Sequence, residues 1–371
     1  MNADLLTAVW AKSAQTSELS SSLSRSPPAM SHREWETLLG QARQARLIAR
    51  LATYYADRVG LNGVPAGPRP HLESGMRLAE RQQHEVRWEV DCIVRALRHI
   101  DVPVVLLKGS AYLMANLPPA RGRLFSDIDI MVPRESVELV EGALFAAGWI
   151  SDERDAYNQR YYREWMHEVP PLRHVHRNTY IDLHHTITPP TSRFAVDGNK
   201  LIADAVALQG YPGLFVLGPA DMVLHSAVHL FTEGEFAHGL RDLLDMRDLL
   251  ETFSQQADFW ELLLTRSASR KLEVPLYHAL FHVQRLFGAI VPSHLEGRVE
   301  LLGPNVLIKA LMAWSLGIAL RPIHPSCNTR WTALARWLLY VRSHMLRMPL
   351  HLVVPHLLRK AWIRRFPKEN V

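Results

Sequence analysis

Helical periodicity runs through most of this chain, and the one interval where it fails decides the fold class. Up to about residue 99, apolar residues recur at spacings of three, four and seven. At Val102 the pattern gives way to Val-Pro-Val-Val-Leu-Leu, a continuous apolar run rich in β-branched side chains. A run this short, bounded by turn residues, predicts a buried central strand over 102–107. It stops at Lys108-Gly109-Ser110, after which residues 111–116 suit a short helix ended by Pro118-Pro119. A second strand, Asp-Ile-Asp-Ile-Met-Val over 127–132, closes at Pro133. A helix over 134–147 ends at Gly148, and Thr-Tyr-Ile-Asp-Leu-His over 179–184 reads as a third strand. Strands interleaved with helices predict an α/β (α+β) core with a short mixed sheet over 101–218.

The flanks read differently. Residues 1–33 include a Ser-rich run ending in Ser26-Pro27-Pro28, too polar to bury, and are expected to be flexible. Within a helical segment over 34–100, Trp35, Leu38, Leu39, Ala42, Ala45, Ile48, Ala49 and Ala52 share one face and predict a single helix. A Gly- and Pro-rich loop over 60–70 and a long helix over 72–99 follow. From Pro219 onward the chain predicts helices, broken at Gly303-Pro304 and over 322–325. The only cysteines, Cys92 and Cys327, are far apart, which excludes a zinc ribbon or a disulfide framework. The N-terminus lacks a basic, apolar leader, and the longest apolar stretch, 306–320, contains Lys309 and is shorter than the ~20 residues a membrane span needs. A cytoplasmic protein is expected.

Two carboxylates stand out within the strand over 127–132. Alternation puts Asp127 and Asp129 on one face, where they repel unless a cation lies between them. Mg²⁺, or Mn²⁺ in its place, takes one or two carboxylates and completes its shell with water and phosphate oxygens. Asp182, flanked by apolar residues in the third strand, would complete a two-metal site. The Lys108-Gly109-Ser110 turn offers an anion site at a helix start: Gly109 admits a phosphate to the backbone, Ser110 caps the helix and donates its hydroxyl, and Lys108 or Arg123 adds positive charge.

Leu107-Lys-Gly-Ser110 followed by Arg123-Leu-Phe-Ser-Asp-Ile-Asp-Ile-Met-Val132 resembles the polymerase-β-like nucleotidyltransferase superfamily. The Lys before Gly-Ser, the Arg four residues before the first Asp, and the later Asp-Leu-His resemble a bacterial branch described only as uncharacterised nucleotidyltransferases. The likeness covers roughly residues 34–250. It implies that Gly109 and Ser110 hold a triphosphate and that Asp127 and Asp129 hold the metals. Asp182 would be the third carboxylate, ligating metal and favouring deprotonation of an acceptor hydroxyl. The expected reaction is Mg²⁺-dependent transfer of a nucleoside monophosphate from an NTP, such as ATP, to a sugar or glycan precursor, small molecule, peptide or protein, with release of pyrophosphate. The alternative is a non-catalytic nucleotide-binding or membrane-surface scaffold module.

His184 and His185 follow Asp182, and either imidazole contacts a phosphate or the carboxylate, or both form a polar strand end. His167, in the polar stretch before Pro170, is a weaker nucleotide contact. Asp221, His225 and His229 recur every four residues, but without a Glu or Cys partner they read as packing or substrate-lining residues rather than a zinc site. The stretch 241–248 (Arg-Asp-Leu-Leu-Asp-Met-Arg-Asp) predicts an exposed, salt-bridged helix face. Residues 321–371 carry ten Lys/Arg against one acid, a formal +9 in a chain whose total is +5. That tail combines basic and apolar residues. Packing on its own domain is the commoner use of such helices, an anionic membrane surface the other, and nucleic acid is not expected because no base-reading motif appears.

Overall fold

The protein's structure, a computed structural model, describes residues 4–16, 30–153, 155–349 and 353. The Ser-rich stretch 17–29 and the last basic residues, Arg359 to Lys368, lie outside the described residues. The chain begins with helices α1 (Leu5–Thr16), α2 (His32–Gln44), α3 (Ile48–Val59) and α4 (Arg69–Leu97). Next come β1 (Val104–Leu106), α5 (Lys108–Met114), β2 (Ile128–Met131), α6 (Val137–Ala146), β3 (Trp149–Ser151), α7 (Ala156–Trp165), β4 (Leu172–His174) and β5 (Tyr180–His184). After α8 (Gly198–Ala203), β6 (Val206–Ala207) and β7 (Leu214–Val216) the elements of the described residues are helices: α9 (Pro219–Thr232), α10 (Gly239–Phe253), α11 (Phe259–Arg270), α12 (Glu273–Phe287), α13 (Glu296–Leu302), α14 (Val306–Ala319) and α15 (Thr332–Arg347).

The seven strands form one mixed sheet in the order β3-β4-β5-β2-β1-β7-β6. The three strands predicted from sequence are its middle: β1 runs antiparallel to β2, and β2 parallel to β5, with Asp129 opposite Asp182 and Met131 opposite His184. Ile128, Ile130, Ile181 and Leu183 alternate to the other face and are buried in the apolar core. Strands β3, β4, β6 and β7 extend the sheet beyond that prediction, because two or three residues are too few to show a period.

Three further expectations are corrected. Residues 34–52 form two helices, not one: Arg46 takes a left-handed φ of 55°, and the Leu47 amide reaches back to the Ala42 carbonyl (2.7 Å), a Schellman-type end. Part of the N-terminal segment expected to be flexible is α1. Its Leu6 and Trp10 are buried, and the Leu6 amide donates to Gln41 Oε1 (2.8 Å). The 241–248 stretch, on α10, is not an exposed face. Asp245 and Asp248 are buried because Arg50 of α3 pairs with both and Arg123 pairs with Asp245. This charge cluster ties the N-terminal helices and the loop before β2 to the C-terminal helices. Gly122 makes the approach feasible, since a Cβ there would stand 2.8 Å from the Arg50 backbone.

Candidate active site

After β1 the chain turns sharply into α5. Leu107 is extended, and Lys108 takes a left-handed φ of 46°, which costs a non-glycine residue about 1–2 kcal/mol. The Leu107 amide donates to the Asp129 carbonyl (2.9 Å), and the Ser110 hydroxyl donates to the Leu107 carbonyl (2.9 Å), so the turn is tied to β2. Lys108 Nζ thereby donates to Asp129 Oδ1 at 2.8 Å, and His184 Nε2 lies 3.0 Å from the same oxygen. Burial disfavours every charge here. Even so, Lys108 and His184 hold the Asp129 carboxyl well below the usual carboxylate range. Asp129, with Glu233 and Glu168 further off, in turn raises Lys108, and the bond to Asp129 raises His184.

Asp182 stands beside Asp129 in the parallel pair and, among the described residues, forms no salt bridge with a lysine or arginine. Burial, then Asp129, Glu168 and Asp127, push its carboxyl up to about 7. Among the described residues, Asp129, Asp182 and His184 offer ligand atoms within 4.8 Å of one another, and so do His167, Glu168 and His184. Asp127 lies just before β2, half-buried, its Oδ1 accepting from the Ser126 hydroxyl (2.9 Å). It stands outside both groupings but lines a cleft of about 710 Å³ with Phe125, Trp88, Arg177 and Tyr180.

The predicted phosphate-side residues divide. Gly109 and Ser110 are buried in the first turn of α5, whose amides have no intrahelical partner. A Cβ on Gly109 would meet Arg123 Nε at 3.0 Å and Phe125 Cδ1 at 3.2 Å, so protein packing, not open space, lies on that side. The Ser110 hydroxyl is engaged by Leu107, and no side chain caps α5. Arg123 turns away from the carboxylates to Asp245 and lies 5.6 Å from the Tyr112 ring centroid.

Helix α9 splits the Asp221, His225 and His229 series. Asp221 pairs with Arg270 (3.1 Å), away from the carboxylates. Burial, with Lys108 close by, pushes His225 well below its ordinary range and lowers His229, which lies 3.3 Å from Glu233. His185 meets the Met166 carbonyl at 3.1 Å. Glu168, 3.5 Å from His184 Nδ1, was not found from sequence. It joins the site through an isolated bridge to β5, and its neighbour His167, whose ring centroid is 5.2 Å from that of His184, is the one local signal.

A family model described as uncharacterised nucleotidyltransferase matches residues 31–288, which span the sheet, the Lys-Gly-Ser turn and all three carboxylates. The chain belongs to that family. The match ends just after α12, so α13 to α15 lie beyond it. No curated protein and no solved structure matches the chain. Nucleotidyl transfer is accordingly the general activity class of this family.

Proposed function

We propose that the protein transfers a nucleoside monophosphate from an NTP to an acceptor hydroxyl or phosphate, using Mg²⁺ or Mn²⁺. The observation that carries this reading is the crowding of Asp129 and Asp182, in register on parallel strands, with Asp127, just before β2, among the lining of a cleft. Two carboxylates and an imidazole are a donor set that fits a divalent cation, and the raised pKa of Asp182 marks negative charge that the protein's own cations leave uncompensated. Asp129 and Asp182 would hold the ion, with His184 beside them and Asp127 at the edge. Bound there, a cation would neutralise phosphate charge and lower the pKa of a coordinated hydroxyl.

The chain's own groups account for the remainder. Lys108 carries a charged ammonium beside Asp129, suited to an oxyanion on the transferred phosphate. The first-turn amides of α5, left without an intrahelical partner, would be the donors to a triphosphate. Asp182 is suited to take the acceptor's proton as the new O–P bond forms, the α–β phosphoanhydride bond breaks and pyrophosphate leaves. A second reading, nucleotide binding without turnover, draws on the Lys108 and His184 contacts that already engage one Asp129 oxygen. Incubation with each α-labelled NTP, with Mg²⁺ or Mn²⁺, separates the two. Transfer of label or cation-dependent pyrophosphate release supports the enzyme, whereas stoichiometric binding with neither supports the binding module.

A further inference from the structure

Beyond the matched region, α14 and α15 pack together, with Trp314 and Trp331 in edge contact, and present outward faces with almost no polar group. On α14 the exposed side chains include Val306 (78% exposed) and Leu307 (83%), and the helix's single charge, Lys309, is tied to Glu300. On α15, Thr332, Ala335, Leu339 and Ser343 face the body, while Leu334, Trp337 (59% exposed), Val341 and Met345 form a continuous outer stripe. Its arginines lie off that stripe: Arg342 donates to the Phe231 carbonyl, Arg347 is 3.6 Å from Glu233, and Arg336 is half-buried. A contiguous exposed apolar face of this kind marks an interaction surface.

Charge says what it meets. Residues 301–368 contain no Asp or Glu, exposed Arg330 stands beside Trp331, and the sequence over 350–371 adds five Lys/Arg against one acid. A second copy would bring a chain region of strong net positive charge, 301–371, against its like. Nucleic acid would need cations at the centre, which is apolar. Tryptophans around an apolar stripe with a cationic surround suit the interface of an anionic bilayer. No single described helix is long and apolar enough to cross a membrane. Helices α13 and α14 reach the needed hydropathy and length only with the preceding turn and as a pair bent by 101°. We infer that the outer face of α14 and α15 docks the protein, peripherally, on an anionic membrane surface.

The test is flotation of the full chain with phosphatidylcholine vesicles, with and without about one-third phosphatidylglycerol, at low salt and at about 1 M, where the screening length falls to about 3 Å. The parent floats with the anionic vesicles, and salt weakens binding. Leu334→Glu with Trp337→Glu on α15, and separately Leu307→Glu on α14, remove exposed side chains, so melting stays unchanged while partitioning falls about tenfold per residue. Three results overturn the inference. One is parent protein that never floats. Another is face variants that float as well as the parent. The third is a parent dimer in light scattering that the same variants dissociate.

Discussion

Replacing Asp245 with Ala tests the buried charge cluster that joins the loop before β2 to α3 and α10. Asp245 is 2% exposed and is the carboxylate shared by Arg50 (2.6 Å) and Arg123. In the variant Arg50 keeps Asp248, but buried Arg123 loses its directly paired carboxylate and keeps only the weaker attraction of Asp242. Stranding a buried charge in this way costs about 3–5 kcal/mol. For 371 residues, an unfolding entropy of about 2.1 cal/mol/K per residue gives about 0.8 kcal/mol per kelvin, so the expected fall in Tm is about 4–6 °C. Differential scanning calorimetry reads this directly. Glu85→Ala, which breaks the exposed Arg81–Glu85 pair, is the control and shifts Tm by about 1 °C or less. If Asp245→Ala melts no lower than the control, the cluster does not hold the loop. Arg123 would then be free to add positive charge beside the Lys108-Gly109-Ser110 turn, as expected from the sequence.

Other consequences follow from the same geometry. Asp182→Asn relieves like-charge crowding, so it raises Tm in the absence of metal while abolishing nucleotidyl transfer; a lower Tm with activity retained contradicts the site. Gly109→Val drives a side chain into Arg123 and Phe125, lowers stability by about 1–3 kcal/mol and weakens NTP binding, and unchanged melting and affinity would refute both effects. His278 and His282 are 1% exposed, and burial pushes both pKa values from 6.5 to about 3. The unfolded chain therefore binds more protons between those values: stability is full above about pH 6.5 and declines as pH falls toward 3. Leu at both positions flattens the acid limb of a Tm–pH curve, and an unaltered limb would show that other groups control it.

The three strands at the middle of the sheet were legible because each has a pattern of its own: β1 a continuous β-branched run, β2 and β5 an Asp among alternating apolar residues. What escaped depends on long-range contacts. Glu168 reaches His184 by a backbone bridge with no local signature, and the partner of Lys108 is decided by the left-handed turn that aims its side chain at Asp129. The 241–248 stretch was misjudged for a physical reason. A periodic charged face looks the same in sequence whether water or a buried opposite charge faces it, and here Arg50 and Arg123 supply that charge. The break at Arg46 was hidden because apolar spacing continues across a Schellman end.

The central claim is that the Asp129–Asp182 site binds a nucleoside triphosphate together with a divalent cation. Titration calorimetry of a non-hydrolysable NTP analogue into the parent, Asp129→Asn and Asp182→Asn, each with Mg²⁺, with Mn²⁺ and with EDTA, tests it most directly. The expected result is one site per chain in the parent that needs the cation, with binding reduced at least tenfold in both variants. Equal binding by parent and variants, or binding indifferent to EDTA, would contradict it.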